Sequence, residues 1–305
     1  MDLQEVRHYL TGPVMSLRTP FQENGEIDYD GARKIIDAAI AGGSKTVMLT
    51  AGDSHYEILS DDEIAELTRV AVEHTDGRAM VIAADRYYGT ARAVQFAKFA
   101  GETGADLVMC LPPDWAKSTT PKTLADHYAA VAEIMPVMIV TNRFIARGEE
   151  FGLETLQRAV DKSPNVVAIK DDMCGVFAQK MCAALSDRCA IISGGQKRNH
   201  LNCHHYGCDG YLSTFVPCQT DITGRYWNAI CGEDYRAAAR IVSEEDGPFF
   251  DYVVKQTGGF DACMHGMLEL NGLAKRYRRQ PYYTLPDAEM KRLGKRLREL
   301  GLLTD

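Results

Sequence analysis

No uninterrupted apolar stretch in this 305-residue chain is long enough to span a bilayer, which takes about 20 residues in helical form. The opening MDLQEVRHYL lacks the basic-then-apolar layout of a signal peptide, so no export signal is expected. Positive charge is not in excess: the formal net charge is −8, which argues against a nucleic-acid or anionic-membrane partner. The nine cysteines are odd in number and irregularly spaced. That fits reduced thiols in a cytoplasmic enzyme better than a disulfide framework. Their densest patch, Cys203-His204-His205 with Cys208, lacks a Cys-x-x-Cys pair, whereas structural zinc normally takes four suitably spaced ligands. No metal site is expected there, and no cofactor is called for. His-Glu-x-x-His, a Walker loop and Gly-x-Gly-x-x-Gly after a strand are also missing, which removes metal hydrolases and dinucleotide enzymes from consideration.

What is present is an ordinary globular composition, 46% hydrophobic and 25% charged, enough for a full-sized core. Strand-like apolar runs alternate with amphipathic helical segments: Pro13–Leu17, Thr46–Thr50, Met80–Ala84, Leu107–Cys110, Val137–Thr141, Val166–Lys170, Ala190–Ser193 and Gly210–Ser213. Helices between them are signalled by caps, for example Asp28 before Tyr29 and the capping box Ser60…Glu63. Eight strands joined by short connections and helices predict an α/β fold, a (β/α)8 TIM barrel over residues 1–220. Residues 221–305 show only helical periodicity, in Tyr235–Val242, Asp261–Leu273 and Pro286–Leu300, and no linker separates them. They are expected to pack on the barrel as a helical extension of one structural unit.

Lys170 ends the apolar run Val166–Ile169 and is followed by Asp171-Asp172. The carboxyl ends of barrel strands are where this architecture places its chemistry. A buried ammonium is costly to maintain, and a neutral amine is a nucleophile toward ketones. The bland alternative is a lysine marking where the strand meets water.

Gly12-Pro13…Thr19-Pro20-Phe21 with Asn24-Gly25-Glu26-Ile27-Asp28, Gly104-Ala105-Asp106, Asn165-Val166-Val167-Ala168-Ile169-Lys170-Asp171, and the terminal Pro286…Leu293…Leu297…Gly301-Leu302 pattern together cover nearly the whole chain. They resemble the dihydrodipicolinate synthase / N-acetylneuraminate lyase family. The resemblance implies a class I aldolase-type barrel in which Lys170 forms a Schiff base with pyruvate or another 2-oxo acid, and a tetramer built from dimers. The chain departs from that family where it moves protons. The strand-two loop reads Thr50-Ala51-Gly52, so its amides can still cradle a carboxylate, but Ala51 replaces a threonine of the relay. Thr141 stands in the place of the family's tyrosine, and Pro113-Asp114 where the synthase branch carries a second one. A threonine hydroxyl is a far poorer acid than a phenol, so dihydrodipicolinate synthesis is not expected. Apart from that threonine, Ile139-Val140-Thr141-Asn142-Arg143 with Lys170-Asp171 resembles the sugar-acid dehydratase branch.

The expected catalytic residues are Lys170, Tyr56 and Thr141. Tyr56, with His55 beside it, ranks first among replacement acids, ahead of Asp85, Tyr87, Tyr88, Asp171 and Asp172, because the loop that carries them borders the carboxylate cradle. Asp171 should point to the other side of its strand and cap the following helix. Thr50, Ala51, Gly52, Asn142, Arg143, Arg147, Gly194 and Ser213 form the expected substrate-binding set, with Arg147 suited to a distal carboxylate. Gln196, Lys197 and Arg198 follow strand seven, and Lys197 reads as a solvated loop charge. Two functions remain open: a Schiff-base lyase (dehydratase or aldolase) acting on a 2-oxo acid or 2-oxo sugar acid, or a barrel that binds such an acid as a regulatory protein without turnover.

Overall fold

The computed structural model describes residues 1–303. Eight parallel strands, β1 (Gly12–Ser16), β2 (Thr46–Met48), β3 (Met80–Ala84), β4 (Leu107–Cys110), β5 (Val137–Val140), β6 (Val166–Asp171), β7 (Ala190–Ser193) and β8 (Gly210–Leu212), close into a barrel in sequence order. Closure is made by β1 on β8, with Gly12 opposite Gly210 and Val14 opposite Leu212. The expected TIM barrel is therefore what forms. Nearly all strand residues are buried, as the near-continuous apolar runs require when one face fills the barrel and the other carries helices.

A helix that the sequence reading did not assign, α1 (Leu3–Leu10), precedes the barrel; a capping box between Asp2 and Glu5 starts it. Its Val6 and Leu10 are buried, and Arg7 pairs with Asp209 at 3.0 Å. The outer layer then comprises α2 (Tyr29–Ala41), α3 (Asp61–Thr75), α4 (Thr90–Thr103), α5 (Pro121–Ala132), α6 (Glu149–Lys162), α7 (Gly175–Leu185), α8 (Gln196–Cys203) and α9 (Thr220–Cys231). The Ser60…Glu63 capping box forms as read from the sequence. Helix α9 lies against the barrel: Tyr226 meets Tyr211 of β8 edge-on, with ring centroids 5.1 Å apart.

The C-terminal segment holds α10 (Tyr235–Arg240), a π-helical turn (Ile241–Asp246), α11 (Gly247–Val253), α12 (Gly259–Leu270) and α13 (Asp287–Glu299). Phe249, Met267, Leu293 and Leu297 join Tyr211 and Phe215 in one apolar cluster, so this segment is fastened to the barrel by shared core. It delivers Phe260 and Asp261, at the start of α12, to the open end of the barrel. No helix among the described residues is long and apolar enough to cross a membrane.

Candidate active site

Residues at or just beyond the carboxyl ends of the strands enclose a cavity of about 300 Å³. Lys170 of β6, Asp172 just after it, Asn142 after β5, Gly194 after β7 and Thr50-Ala51-Gly52 after β2 line it. Met109, Leu111, Val140 and Leu212 supply an apolar wall. Lys170 is 7% exposed, and its Nζ is ion-paired with Oδ1 of Asp172. Two-residue alternation explains the pair: positions 170 and 172 share a side of the chain. Asp171 faces the other way, where its carboxylate accepts from the Met173 amide at 3.0 Å and the Cys174 amide at 3.1 Å, fastening the entry to α7. Burial raises the Asp171 pKa, and these donors together with Thr141 and Asn199 oppose the rise.

The glycine at 194 is required by this arrangement. A Cβ there would lie 1.9 Å from Asp172 Oδ1 and 2.9 Å from the Asp171 carbonyl oxygen. Only a bare backbone lets the Asp172 carboxylate sit between Lys170 and the β7 loop.

In the β2 loop, Thr50 Oγ1 accepts from the Asp53 amide at 3.1 Å, and the Thr50 amide donates to Ser54 Oγ at 3.1 Å. No acceptor among the described residues takes the amides of Ala51 and Gly52. These are the groups that a carboxylate in the cavity can use. Asn142 offers complementary chemistry, because its side-chain Oδ1 is buried without a hydrogen-bond partner. An orphaned acceptor in a cavity wall is satisfied by a ligand hydroxyl or amine.

Several expected residues lie elsewhere. Tyr56 is completely buried in the core beside Thr68, and burial raises its pKa far above the ordinary phenol range. It does not line the cavity, so the expectation that it moves protons there is corrected. Thr141 is also fully buried: its hydroxyl donates to Asp171 Oδ1 at 3.1 Å and accepts from the amides of Asp172 at 2.8 Å and Met173 at 3.2 Å. One donor and two acceptor sites exhaust a hydroxyl, so Thr141 braces the Asp171–Met173 turn rather than meeting substrate. Arg143 stacks on Tyr87, 3.8 Å from the ring centroid, and Arg147 pairs with Asp114 at 2.6 Å. Neither reaches the cavity. Ser213 is buried opposite Thr223, 3.4 Å between hydroxyl oxygens, and borders a smaller neighbouring pocket. Lys197 is no solvated charge: it is 1% exposed and pairs with Asp246 at 3.1 Å.

The sequence reading missed Arg18, Asp53 and Phe260, which also line the cavity. Arg18 bonds Asp53 Oδ1 at 2.8 Å and Asp261 Oδ1, while Arg278 holds the other oxygen of Asp261. Phe260 lies 5.2 Å from the Arg18 guanidinium carbon. The signal available was an arginine immediately before Thr19-Pro20, at the end of a barrel strand. Behind this network, Nε2 of His55 and Nε2 of His265 are 2.9 Å apart, and burial holds the His55 pKa down to about 4. His265 is held well below its ordinary value too, again chiefly by burial, so both rings are neutral near pH 7.

Asp85 is buried outside the cavity, with Oδ1 accepting from the Leu111 amide at 2.8 Å and Oδ2 unpartnered. Burial pushes its pKa up from 3.8 to about 8. A raised folded-state pKa means that its stability contribution is complete below the ordinary carboxylate range and is lost as pH climbs to about 8. Asp85→Asn should therefore match the parent near pH 4 and become progressively more stable than it toward pH 8, by up to about 4 kcal/mol at pH 7. Denaturant melts across that range check this; parallel curves for the two proteins would refute it.

The 4-hydroxy-tetrahydrodipicolinate synthase of Sorangium cellulosum is 34% identical over 247 residues, covering 79% of this chain and 81% of its own length. The protein of the same name from Methanosarcina barkeri is 27% identical over 295 residues, covering 96% and 99%. Among solved structures, dihydrodipicolinate synthase from Oceanobacillus iheyensis superposes with a TM-score of 0.86 at 20% identity, covering 98% of this chain and 99% of that one. N-acetylneuraminate lyase from Fusobacterium nucleatum gives 0.85 at 15% identity, covering 97% and 100%. At such identities the likeness of structure speaks to the fold alone. Residues 10–300 match the dihydrodipicolinate synthetase family, and the chain belongs to it.

Proposed function

We propose that this protein is a Schiff-base-forming lyase, a dehydratase or aldolase, acting on a pyruvate-like 2-oxo acid or 2-oxo sugar acid through Lys170. The observation that carries the reading is the lysine amine inside the cavity, paired with Asp172 and sharing the space with the Thr50–Gly52 turn. Asp172 takes a proton from the Lys170 ammonium, leaving a neutral amine to attack the C2 carbonyl. The proton then goes back to the carbinolamine hydroxyl, which departs as water and leaves the iminium. That cation draws electrons from C3, so either a C3 proton and a C4 hydroxyl are lost as water, or the C3–C4 bond breaks. The Ala51 and Gly52 amides hold the substrate carboxylate. The unpartnered Asn142 oxygen favours a substrate carrying a hydroxyl over pyruvate itself.

The names of the relatives suggest synthase activity, and the site argues for another branch. Ala51 has no hydroxyl, Thr141 faces away, and no tyrosine is among the residues lining the cavity. The same absence favours the second reading, a 2-oxo acid binding protein without turnover. A cytoplasmic homo-oligomer, dimer or tetramer, belongs to the proposal in either case.

Borohydride reduction in the presence of a panel of 2-oxo acids and 2-oxo sugar acids tests the function. A reduced adduct should appear in the intact mass, map to the peptide containing Lys170, and be absent from Lys170→Met. No adduct with any acid, or one on another lysine, overturns the reading. Following the adduct-forming acids for product separates lyase from binder, since a binder forms the adduct and releases its ligand unchanged. Condensation of pyruvate with aspartate semialdehyde should be negligible; turnover near the common enzyme value of about 10 per second would restore the synthase assignment.

A further inference from the structure

Three cysteines from different elements converge outside the cavity. Cys182 lies in α7, Cys203 ends α8, and Cys208 sits in the turn before β8. Their sulfur atoms all lie within 4.8 Å of one another, and none is in a disulfide. Each is 2% exposed or less, within the apolar layer between the outer face of the sheet and helices α7 and α8. The Cys203 thiol donates to the Asn199 carbonyl at 3.1 Å and that of Cys208 to the Gly210 carbonyl at 3.4 Å. The sequence isolates only two of the three, Cys203 and Cys208; Cys182 arrives by folding.

Buried thiols can meet as small fillers joined by weak S–H contacts, as Cys182 does with Cys203 and Cys208. The same convergence is also what a ligand set requires. An ion bound by three sulfurs in a plane at about 2.3 Å spreads them roughly 4 Å apart, which lies within the observed limit. Thiolate donors select soft ions such as copper(I) and zinc. Structural zinc asks for four ligands, and among the described residues no fourth cysteine, histidine or carboxylate joins this group. Burial also keeps water from serving as the fourth. The other convergent set of ligand-type side chains, His55, Asp261 and His265, is unsuited to a cation because Arg18 and Arg278 already occupy the Asp261 carboxylate.

We propose that Cys182, Cys203 and Cys208 form a three-thiolate site for a soft ion of low coordination number, copper(I) being the physiological fit. Each thiol that ligates gives its proton to solvent, with no change of oxidation state. Since α7 and α8 begin just after the loops that carry Asp172 and Gly194, the ion ties together the two helices behind the catalytic strand ends.

The reduced, full-length chain should be titrated anaerobically with copper(I) held as its bathocuproine disulfonate complex. The parent and the exposed-thiol control Cys231→Ser should each withdraw one equivalent from the chelator. Cys182→Ser, Cys203→Ser and Cys208→Ser should each weaken that withdrawal at least 100-fold. No withdrawal, uptake without saturation at one equivalent, or uptake unchanged in the three cluster variants overturns the proposal. So does zinc filling a one-equivalent site that copper(I) does not enter. The parent's copper complex gives a reading free of any folding defect in the variants: X-ray absorption should show sulfur neighbours alone, and nitrogen or oxygen in the first coordination sphere would refute the three-thiolate assignment.

Discussion

Asp172→Asn is expected to cut turnover roughly 10²- to 10⁴-fold on any substrate that forms the Lys170 adduct, the usual cost of losing a general acid or base. The substitution keeps the shape of the side chain in the space that Gly194 leaves for it, and removes its charge and proton affinity. Imine formation should slow without being abolished, because Lys170 remains the nucleophile and bulk water can still carry protons. The measurement is therefore double: steady-state rate, and the time course of borohydride-trapped adduct. A rate within a few-fold of the parent would strike Asp172 from the proton path and move the role to Thr50 or a bound water. A variant that forms no adduct at all would mean that Asp172 only positions the amine.

The assignment to Asp172 shows where sequence reasoning reached and where it stopped. The barrel was legible because parallel strands buried on both faces leave unbroken β-branched runs, and because caps such as Ser60…Glu63 punctuate the helices locally. Lys170 was legible for the same reason, as a charge at the end of such a run. The same alternation that sends Asp171 outward also places Asp172 beside Lys170, so that information was present in the three residues. What outweighed it was proximity in sequence: Tyr56 follows the carboxylate cradle by only a few positions. Yet the turn that begins at Thr50 folds back on itself, with the Tyr56 amide bonded to the Ala51 carbonyl at 3.0 Å, and sends the phenol into the core.

Long charged side chains misled for a related reason. Their partners are remote in sequence: Asp114 for Arg147, Asp246 for Lys197, and Asp53 and Asp261 for Arg18. A loop arginine reads as a substrate ligand until the fold supplies a carboxylate, and Arg18 reads as an ordinary residue until the fold turns it into the cavity. The cysteines follow the same rule. Spacing excluded a zinc motif within the Cys203–Cys208 patch, but spacing carries no information about Cys182, which lies a whole β/α unit away.

Thr141→Val should show that the residue in the family's tyrosine position is now a structural brace. Valine matches the shape of threonine and removes only the hydroxyl. The amides of Asp172 and Met173 then lose their acceptor at that side, and the buried Asp171 carboxylate loses a donor. Unsatisfied buried groups cost about 1–3 kcal/mol each. Because the Met173 amide retains Asp171 Oδ1 as an acceptor at 3.0 Å, the expected loss of stability is about 3 kcal/mol rather than the full sum. Turnover should fall as well, since the Asp172 backbone is no longer held, whereas the Lys170 adduct should still form. Thr141→Ser restores the hydroxyl and should recover both stability and rate. If Thr141 were instead the acid that replaces the missing phenol, valine would abolish turnover while leaving the melting curve in place. A Thr141→Val protein with parental stability and no activity would therefore return this residue to the mechanism and displace Asp172 from it.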